Sequence, residues 1–458
     1  MKICVIGQGY IGLPTALLFA KNGCEVLGVD VNEEVVNKLN NGTIHIAEEG
    51  LLEILQMAIS NGSYRASTAV EEADVFIITV PTPANMLDLS CDLSYVEDAS
   101  KSILPVLNEG NIVIVESTIA PMSSDEFIAP IFEELGFTIG EDLYFAHCPE
   151  RVLPGQIIEE LIHNDRIVGG LTDVCADKAI DVYRIFVKGE IFKTEAKTAE
   201  MSKCMENTFR DVNIALANEL IKICNKIDVN GLEVIKLANK HPRVNLHSPG
   251  PGVGGHCLAI DPYFIYSLAP DTAKIIKHSR DTNNLMPDFV FNAVNKIISK
   301  EFKDNENFSK IDGDKKNIKI SILGLSYKGN TDDIRESPAL KIYKLLENEG
   351  YNLVSYDPHV TAIDGFKKID SFDEAISKAN LILILTDHNE FKDLNFIDIV
   401  KYMETPIVFD TKNILDDDFT KYLNKDLVKD RSNDEFEKNK NLINKVKLIN
   451  FGNLFDYV

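Results

Sequence analysis

The sequence predicts an α/β protein in which two sheet-based domains flank a helical one, and three observations predict it. Short apolar runs alternate with helical spacing from residue 2 to about 187. The stretch from Glu195 to Asp228 then contains neither proline nor glycine. The alternation returns after residue 318. Strands alternating with helices build a parallel sheet covered on both faces, and an unbroken run of helix formers builds one long helix.

Taken in order, KICVIG at 2–7 is an apolar run closed by glycine, as in a buried parallel strand. Helical spacing follows over 10–22, and CEVLGVD at 24–30 is the next strand. Further strands are expected at 75–80, 112–116, 143–147 and 166–169, with helices at about 33–41, 49–61, 94–107, 124–136 and 172–187. This first domain, 1–195, is a Rossmann-type doubly wound sheet. The long helix opens a central helical domain, 196–300, continued by helices at about 231–240 and 283–299. Residues 300–316 are polar and charged, a linker by composition. Strands at 318–324, 352–356, 381–385 and 406–410, with helices near 337–349 and 371–379, make a C-terminal Rossmann-like α/β domain, 314–458. It carries no GxGxxG, so a second dinucleotide site is not expected. The charged stretch 416–450 reads as surface helix or a loosely docked tail.

A chain of 458 residues has room for two or three domains, and 45% hydrophobic content suffices for packed cores. No apolar run approaches the roughly 20 residues that span a bilayer, and Gly7 and Gly9 interrupt any signal-peptide core. A soluble, cytoplasmic protein with no membrane partner is expected. Eight cysteines without CxxC pairs or His/Cys ligand spacing imply neither a metal site nor a disulfide framework. The net charge of −24 disfavours nucleic acid as a partner and requires any anionic substrate to find a local basic pocket.

GQGYIG at 7–12 follows a strand and opens a helix, the context a dinucleotide fingerprint requires. Gly7 makes the tight turn, Gly9 admits the pyrophosphate, and Gly12 lets helix and strand approach closely. The pyrophosphate then meets the free N–H groups of the helix N-terminus. Asp30 ends the second strand, 18 residues after Gly12, where it accepts ribose hydroxyls and repels a 2′-phosphate. NAD is therefore expected rather than NADP. A glycine turn without a ligand is the alternative, and strand, helix and acid all in register argue against it. VPTP (80–83) and EST (116–118) end later strands, which puts Thr82 and Thr118 on the wall of the site.

Cys257 lies in the run HPRVNLHSPGPGVGGHCLAIDP (241–262), behind glycines 250, 252, 254 and 255 and ahead of Asp261. Lacking Cβ atoms, such glycines are expected to let a ligand approach the backbone. A thiol and a nicotinamide together suggest oxidation of a carbon held on sulfur. On the long helix, Lys203, Asn207 and Arg210 follow i, i+4, i+7 spacing and share one face. A solvated stripe is the ordinary explanation of such a triplet; Met201, Cys204, Met205 and Phe209 enclose this one more than usual.

In order, GQGYIGLPTA, EST, CPERVLPG (148–155), KCMENTFRDVNIALANE (203–219), HPRVN…PGPGVGGHC and SYKGNTDDIRESPA (326–339) resemble the motifs of the UDP-glucose/GDP-mannose dehydrogenase family, over about residues 1–415. The resemblance implies a four-electron oxidation of a sugar C6 alcohol to a carboxylate, with two NAD per sugar. After the first oxidation Cys257 adds to the aldehyde as a thiohemiacetal, which is oxidised to a thioester and cleaved by water. It implies Lys203 as proton donor and acceptor and oxyanion stabiliser, with Asn207 beside it, and Asp261 holding Lys203 or a water. Glu150 and Thr118 resemble the pair that positions the hydrolytic water. His256 is given no catalytic task and is read as a packing or hydrogen-bonding residue. Cofactor contacts implied are Gly7, Gly9, Tyr10, Ile11, Gly12, Asp30, Thr82, Thr118 and, from the third domain, Arg335. The implied substrate pocket comprises Arg151, Val152, Lys203, Asn207, Arg210, His241, Arg243, Gly254, Tyr327, Lys328 and Lys412, whose cations suit a UDP diphosphate.

Within the family, Arg151 and His256–Cys257 stand where enzymes acting on UDP-glucose typically carry Phe and Ser-Cys. Those differences imply a 2-acetamido sugar: UDP-N-acetyl-D-mannosamine, oxidised to its uronate, with UDP-N-acetylglucosamine or UDP-glucose as the alternative. SYKGN replaces a more usual Phe-Lys-Pro, and DTKN (410–413) ends in Asn where glycine is common. A homodimer through the long helix, or a higher homo-oligomer, is implied, with Arg243 reaching toward a neighbour's site. A two-electron dehydrogenase would need neither Cys257 nor a third domain. A nucleotide-binding regulator would not need Cys257, Lys203 and Asp261 together.

Overall fold

The computed structural model describes all residues except 47, 86, 153–154, 304–314, 362, 416–440 and 458. Most of the expected linker at 300–316 and most of the 416–450 stretch lie outside the described residues. The chain divides into two compact units, Met1–Asn207 with Asp261–Ala273, and Thr208–Ile260 with Lys274–Val458.

The first unit holds eight strands: β1 (Lys2–Ile6), β2 (Glu25–Val29), β3 (Tyr64–Ser67), β4 (Val75–Ile78), β5 (Asn111–Val115), β6 (Leu143–His147), β7 (Arg166–Gly170) and β8 (Ile191–Glu195). Their order is β3-β2-β1-β4-β5-β6-β7-β8. All neighbours run parallel except β6 and β7. The first six follow the doubly wound nucleotide-binding order. VFII and NIVIV are buried at every position, as central parallel strands are. The strands that the sequence reading missed in this sheet, β3 (YRAS) and β8 (IFKTE), are its two edges. Their half-exposed faces carry polar residues and give no apolar run to detect.

Helices α1 (Gly12–Lys21), α2 (Glu33–Asn40), α3 (Leu51–Ser60), α4 (Ser94–Ile103), α5 (Ala129–Glu133), α6 (Ile157–His163) and α7 (Asp173–Tyr183) cover the sheet. The helix expected at 124–136 begins as a π-turn, Ser124–Ile128, before α5. One core, on one face, joins Ile3, Leu17, Phe19, Leu55 and Tyr183. The other joins Phe76, Ile103, Val113, Phe132 and Phe145. The chain continues through α8 (Ala196–Lys226), α9 (Gly231–Ala238) and α10 (Asp261–Leu268). The long helix is thus continuous over 31 residues. Its residues to Asn207, together with α10, belong to the first unit.

The second unit adds α11 (Lys274–Asn284) and α12 (Met286–Lys303) to an all-parallel sheet. Its strands are β9 (Lys319–Leu323), β10 (Asn352–Tyr356), β11 (Leu381–Ile384), β12 (Ile407–Asp410) and β13 (Lys447–Asn450), in the order β10-β9-β11-β12-β13. Helices α13 (Pro338–Asn348), α14 (Phe372–Ile376), α15 (Asn389–Lys392) and α16 (Phe396–Tyr402) flank it. Ile221, Ile235, Val290 and Ile297 of the helices share one core with Ile320, Leu383 and Phe409 of the sheet. The end of the 416–450 stretch is not a docked tail. Lys447–Asn450 pairs with Ile407–Asp410 as a fifth strand, which its lysine and asparagine concealed. Among the described residues no helix is long and apolar enough to cross a membrane.

Candidate active site

The turn after β1 is built by contact with its neighbours. Gly7 is left-handed at φ +94° and its N–H donates to Val29 O at 2.8 Å. A Cβ on Gly12 would lie 1.9 Å from Gly7 O and 2.3 Å from Thr79 Oγ1, so α1 packs closer than any side chain permits. A Cβ on Gly9 would meet nothing within 4 Å. Packing within the protein thus demands Gly12, whereas the open space at Gly9 leaves room for a ligand. Asp30 accepts the Gln8 N–H through Oδ2 and the Asn32 N–H through Oδ1, both at 2.9 Å. Each oxygen keeps a lone pair for a further donor. Ile11, the N-cap of α1, supplies no side-chain cap, and the first turn carries no acid. That positive helix end therefore suits an anion. Tyr10 is exposed at its rim. Thr82 Oγ1 donates to Thr118 O at 2.6 Å, tying together the segments that follow β4 and β5.

Beyond the ends of β5 and β6, Glu150 accepts the Arg151 N–H on Oε1 at 2.7 Å and Arg166 Nη2 on Oε2 at 2.6 Å. The other arm of Arg166 reaches Glu116 Oε1 at 3.3 Å, and the Tyr183 hydroxyl donates to the same oxygen at 2.6 Å. Burial pushes the Glu116 carboxyl upward, with Arg166 pulling it back. Sequence reasoning used Thr118 from the EST motif and passed over Glu116. It also missed Arg166, whose one signal is a charge at the head of an apolar strand. The Arg151 side chain pairs with Glu206 of α8 at 2.9 Å and donates to Asp165 O, while Val152 packs on the first core.

On α8, Lys203 is half-buried and Asn207 buried. Asn207 Nδ2 donates to Asp261 Oδ2 at 2.6 Å, at the first residue of α10. Asp261 was expected to hold Lys203 or a water; its hydrogen bond goes to Asn207. Burial pushes the Asp261 carboxyl up to about 6, against the Asn207 bond and the charge of Lys203. His147, at the end of β6, is buried with neither ring nitrogen hydrogen-bonded. Burial pushes its imidazole down to about 3; the Val115 backbone pulls weakly upward and Lys203 downward.

In the second unit the glycine loop packs closely on a neighbouring segment. A Cβ on Gly254 would lie 2.6 Å from Glu336 O, and one on Gly255 2.8 Å from the Tyr327 ring. These two glycines admit the chain's own segment 327–338 to close approach. Gly255 N–H donates to Arg335 O at 3.0 Å, and Gly250 N–H to Asn218 Oδ1 at 2.9 Å. Asn218 is held in turn by Asn283, which also binds Asp211, the buried partner of Arg280. Cys257 is half-buried at the end of this loop. His256 is exposed, with Nδ1 4.0 Å from Asp333 Oδ2. The Arg335 side chain grips Asp333 through two bonds, at 2.9 and 2.6 Å. Burial pushes the Tyr327 phenol up to about 12. Arg210, His241, Arg243 and Lys328 are exposed, and Lys412 lies 3.4 Å from Asp387.

The departure at DTKN has a backbone explanation, and the residue that ends SYKGN shares its conformation. Asn330 (φ +59°) and Asn413 (φ +55°) are both left-handed, a region asparagine tolerates. Asn330 N–H donates to His388 Nδ1 at 2.9 Å, and Asn413 Oδ1 accepts the Phe451 N–H at 3.2 Å.

GLSYKG (324–329) repeats the plan of GQGYIG. Gly324 is left-handed at φ +92° and donates to Tyr356 O, as Gly7 does to Val29 O. Asp357 accepts the N–H groups of Leu325 and His359, as Asp30 accepts those of Gln8 and Asn32. Ser326 stands where Gly9 does, its hydroxyl donating to Lys328 O at 2.8 Å. The lost second glycine is why a GxGxxG search passes over this turn. The ligating atoms of His359, His388 and Glu390 come within 4.8 Å of one another. His388 Nδ1 accepts the Asn330 N–H and its Nε2 donates to Asp357, so that ring keeps no lone pair for a metal.

Models of the UDP-glucose/GDP-mannose dehydrogenase family match the chain three times: its NAD binding domain at residues 1–187, its central domain at 197–285 and its UDP binding domain at 321–417. The UDP-N-acetyl-D-mannosamine dehydrogenase of Methanococcus maripaludis is 47% identical over 421 residues, 91% of this chain and 93% of that protein. The NDP-N-acetyl-D-galactosaminuronic acid dehydrogenase of Ralstonia solanacearum is 41% identical over 424 residues, 90% and 96% of the two chains. A structure of the UDP-N-acetyl-mannosamine dehydrogenase of Staphylococcus aureus superposes with a TM-score of 0.85 at 49% identity, covering 100% of both chains.

Three outcomes follow from this geometry. Gly12→Ala is expected to cost about 1–3 kcal/mol by overpacking and to lower the thermal midpoint. Gly9→Ala should leave the midpoint unchanged while weakening NAD binding about 10-fold or more in calorimetric titration. For Asp261, a carboxyl at about 6 against an ordinary 3.8 means the folded chain binds the extra proton between those pH values. The contribution of Asp261 to stability therefore falls as pH rises from 4 to 6 and stays lower above. Asp261→Asn should match wild type near pH 4 and exceed it at pH 8, by up to about 3 kcal/mol, in paired thermal unfolding.

Proposed function

Because the chain belongs to the UDP-glucose/GDP-mannose dehydrogenase family, we propose that it oxidises C6 of UDP-N-acetyl-D-mannosamine to the uronate in two NAD-dependent steps. The observation that carries the choice of sugar is the near-full-length likeness to enzymes of that name. The Arg151 and His256–Cys257 signature agrees with it.

NAD, held by the turn at Gly9, the start of α1 and Asp30, supplies the hydride acceptor for both oxidations. Lys203 takes the C6 hydroxyl proton in the first and stabilises the oxyanion in the second, with Asn207 orienting the reacting oxygen. Asp261 fixes Asn207 through the hydrogen bond between them. Cys257, as thiolate, forms a C–S bond to the C6 aldehyde. The second oxidation makes the thioester, and the covalent bond keeps the aldehyde from escaping. Glu150 and Thr118 position the water that cleaves it. Arg210, His241, Arg243, Lys328 and Lys412, with Gly254 and Tyr327, receive the UDP portion, and Arg151 and Val152 the sugar side. Arg335 is a cofactor contact once its grip on Asp333 is exchanged. This cationic set offsets the −24 of the chain where a diphosphate must bind.

We also propose a homodimer. Met201, Met205, Phe209, Leu216 and Ile223 are exposed apolar residues along α8, a stripe that a second copy of the helix would cover.

Purified protein should release two NADH per molecule of UDP-N-acetyl-D-mannosamine, and faster than with UDP-N-acetylglucosamine, UDP-N-acetylgalactosamine or UDP-glucose. A stoichiometry of one, or a preference for another sugar, would overturn the assignment. Cys257→Ser should abolish acid formation while retaining UDP-sugar binding. Light scattering should give a dimer for wild type and a monomer for Phe209→Asp/Leu216→Asp. An unchanged mass in that variant would place the interface elsewhere.

A further inference from the structure

Arg166 and Glu116 have no task in the chemistry above, yet they are among the most deeply buried charged residues of the first unit. Arg166 is 4% exposed and Glu116 2%. The guanidinium lies between two carboxylates. Its Nη2 is 2.6 Å from Glu150 Oε2, and its Nη1 is 3.3 Å from Glu116 Oε1. The ring of Tyr183, on α7, stacks under it at 4.3 Å, and Phe186 follows at 5.9 Å. Cys148 Sγ, just past β6, accepts from Nη1 at 3.5 Å, and burial pushes that thiol up to about 12, so it stays neutral.

One buried cation cannot compensate two buried anions, because each unpaired charge bears its full desolvation cost. The surroundings break the tie. Glu116 receives two neutral donors, the Tyr183 hydroxyl at 2.6 Å and the Thr15 hydroxyl at 3.3 Å, and only the longer arm of Arg166. Glu150 receives the short, charge-assisted arm and the Arg151 N–H. Burial and the charge of Glu150 both push the Glu116 carboxyl upward. The shorter arm of Arg166 thus goes to Glu150, and Glu116, which burial pushes upward, is held by the longer arm and by the Tyr183 and Thr15 hydroxyls.

We propose that Arg166 is a positioning residue for the hydrolytic half of the reaction, clamping Glu150 by its short arm so that the carboxylate is aimed at the water it activates. The inference rests on the proposed function. In that step the water oxygen bonds to the thioester carbon, the C–S bond breaks and Cys257 leaves as thiolate. One water proton passes to Glu150 and on to solvent, and nothing is oxidised or reduced.

The test compares the full-length wild type with Arg166→Met and Arg166→Lys. In Arg166→Met the first turnover should still release two NADH at near wild-type rate, while steady-state kcat falls about 100-fold. Intact-mass measurement should find an acyl adduct that Cys257→Ser abolishes. The acid limb of kcat should move up by about one pH unit in Arg166→Met and by less in Arg166→Lys, which keeps the charge without the two-armed grip. Hydroxylamine, a nucleophile that needs no base, should restore turnover in both. A parallel fall of first-turnover and steady-state rates, without adduct, shifted limb or rescue, would overturn the inference; if the Met variant does not fold, the Lys variant alone decides it. Absence of NADH from wild type with every UDP-sugar would instead overturn the proposed function itself.

Discussion

In each sheet, a carboxylate at the end of the second strand gathers the backbone amides of the turn that follows the first. Asp30 does so for the turn at Gly7 and Asp357 for the turn at Gly324. Asp30 binds two amides and Asp357 four, tying each turn to the chain that leaves the neighbouring strand, and that tie fixes where the chain exits its sheet. In the first sheet it sets the start of α1 and leaves the face of Gly9 open. In the second it delivers Tyr327 to the glycine loop that ends in Cys257. One small difference separates a cofactor cradle from a packing surface: Ser326 occupies the position of Gly9 and turns its hydroxyl onto its own backbone.

The central strands were legible because they are buried on both faces and read as plain apolar runs, VFII and NIVIV among them. The edges β3, β8 and β13 were not, since a strand with one wet side carries the same residue types as a loop. The fingerprint at 7–12 was legible as a motif, and Asn207 and Asp261 do meet. Arg166 was illegible for a different reason. Its significance lies in what surrounds it, residues 15, 116, 148, 150 and 183, and no sequence spacing connects them. At the glycine loop a missing Cβ says only that something comes close. Whether that something is a ligand or Tyr327 is decided by tertiary packing.

The chain separates its cations by task. Arg166 is spent on its own carboxylates, enclosed among aromatic rings where solvent does not screen it. Arg210, Arg243 and Lys328 stand exposed in the other unit, where a soluble anion can reach them. A strongly acidic protein can thus receive a diphosphate without neutralising its surface, because only a local potential is needed.

β12 is apolar and wholly buried, yet without β13 it would end the second sheet with its backbone donors and acceptors bare. Such an edge is a template for pairing with another chain. The many residues that separate β12 from β13 in the sequence add little closure entropy, since that cost grows only with the logarithm of length. The distant strand KLIN then takes over the boundary. It opens with Lys447, exposed and paired with Glu301, a charge of the kind that discourages edge-to-edge aggregation. What looks from its composition like a dispensable appendage is the guard on the sheet's most adhesive side.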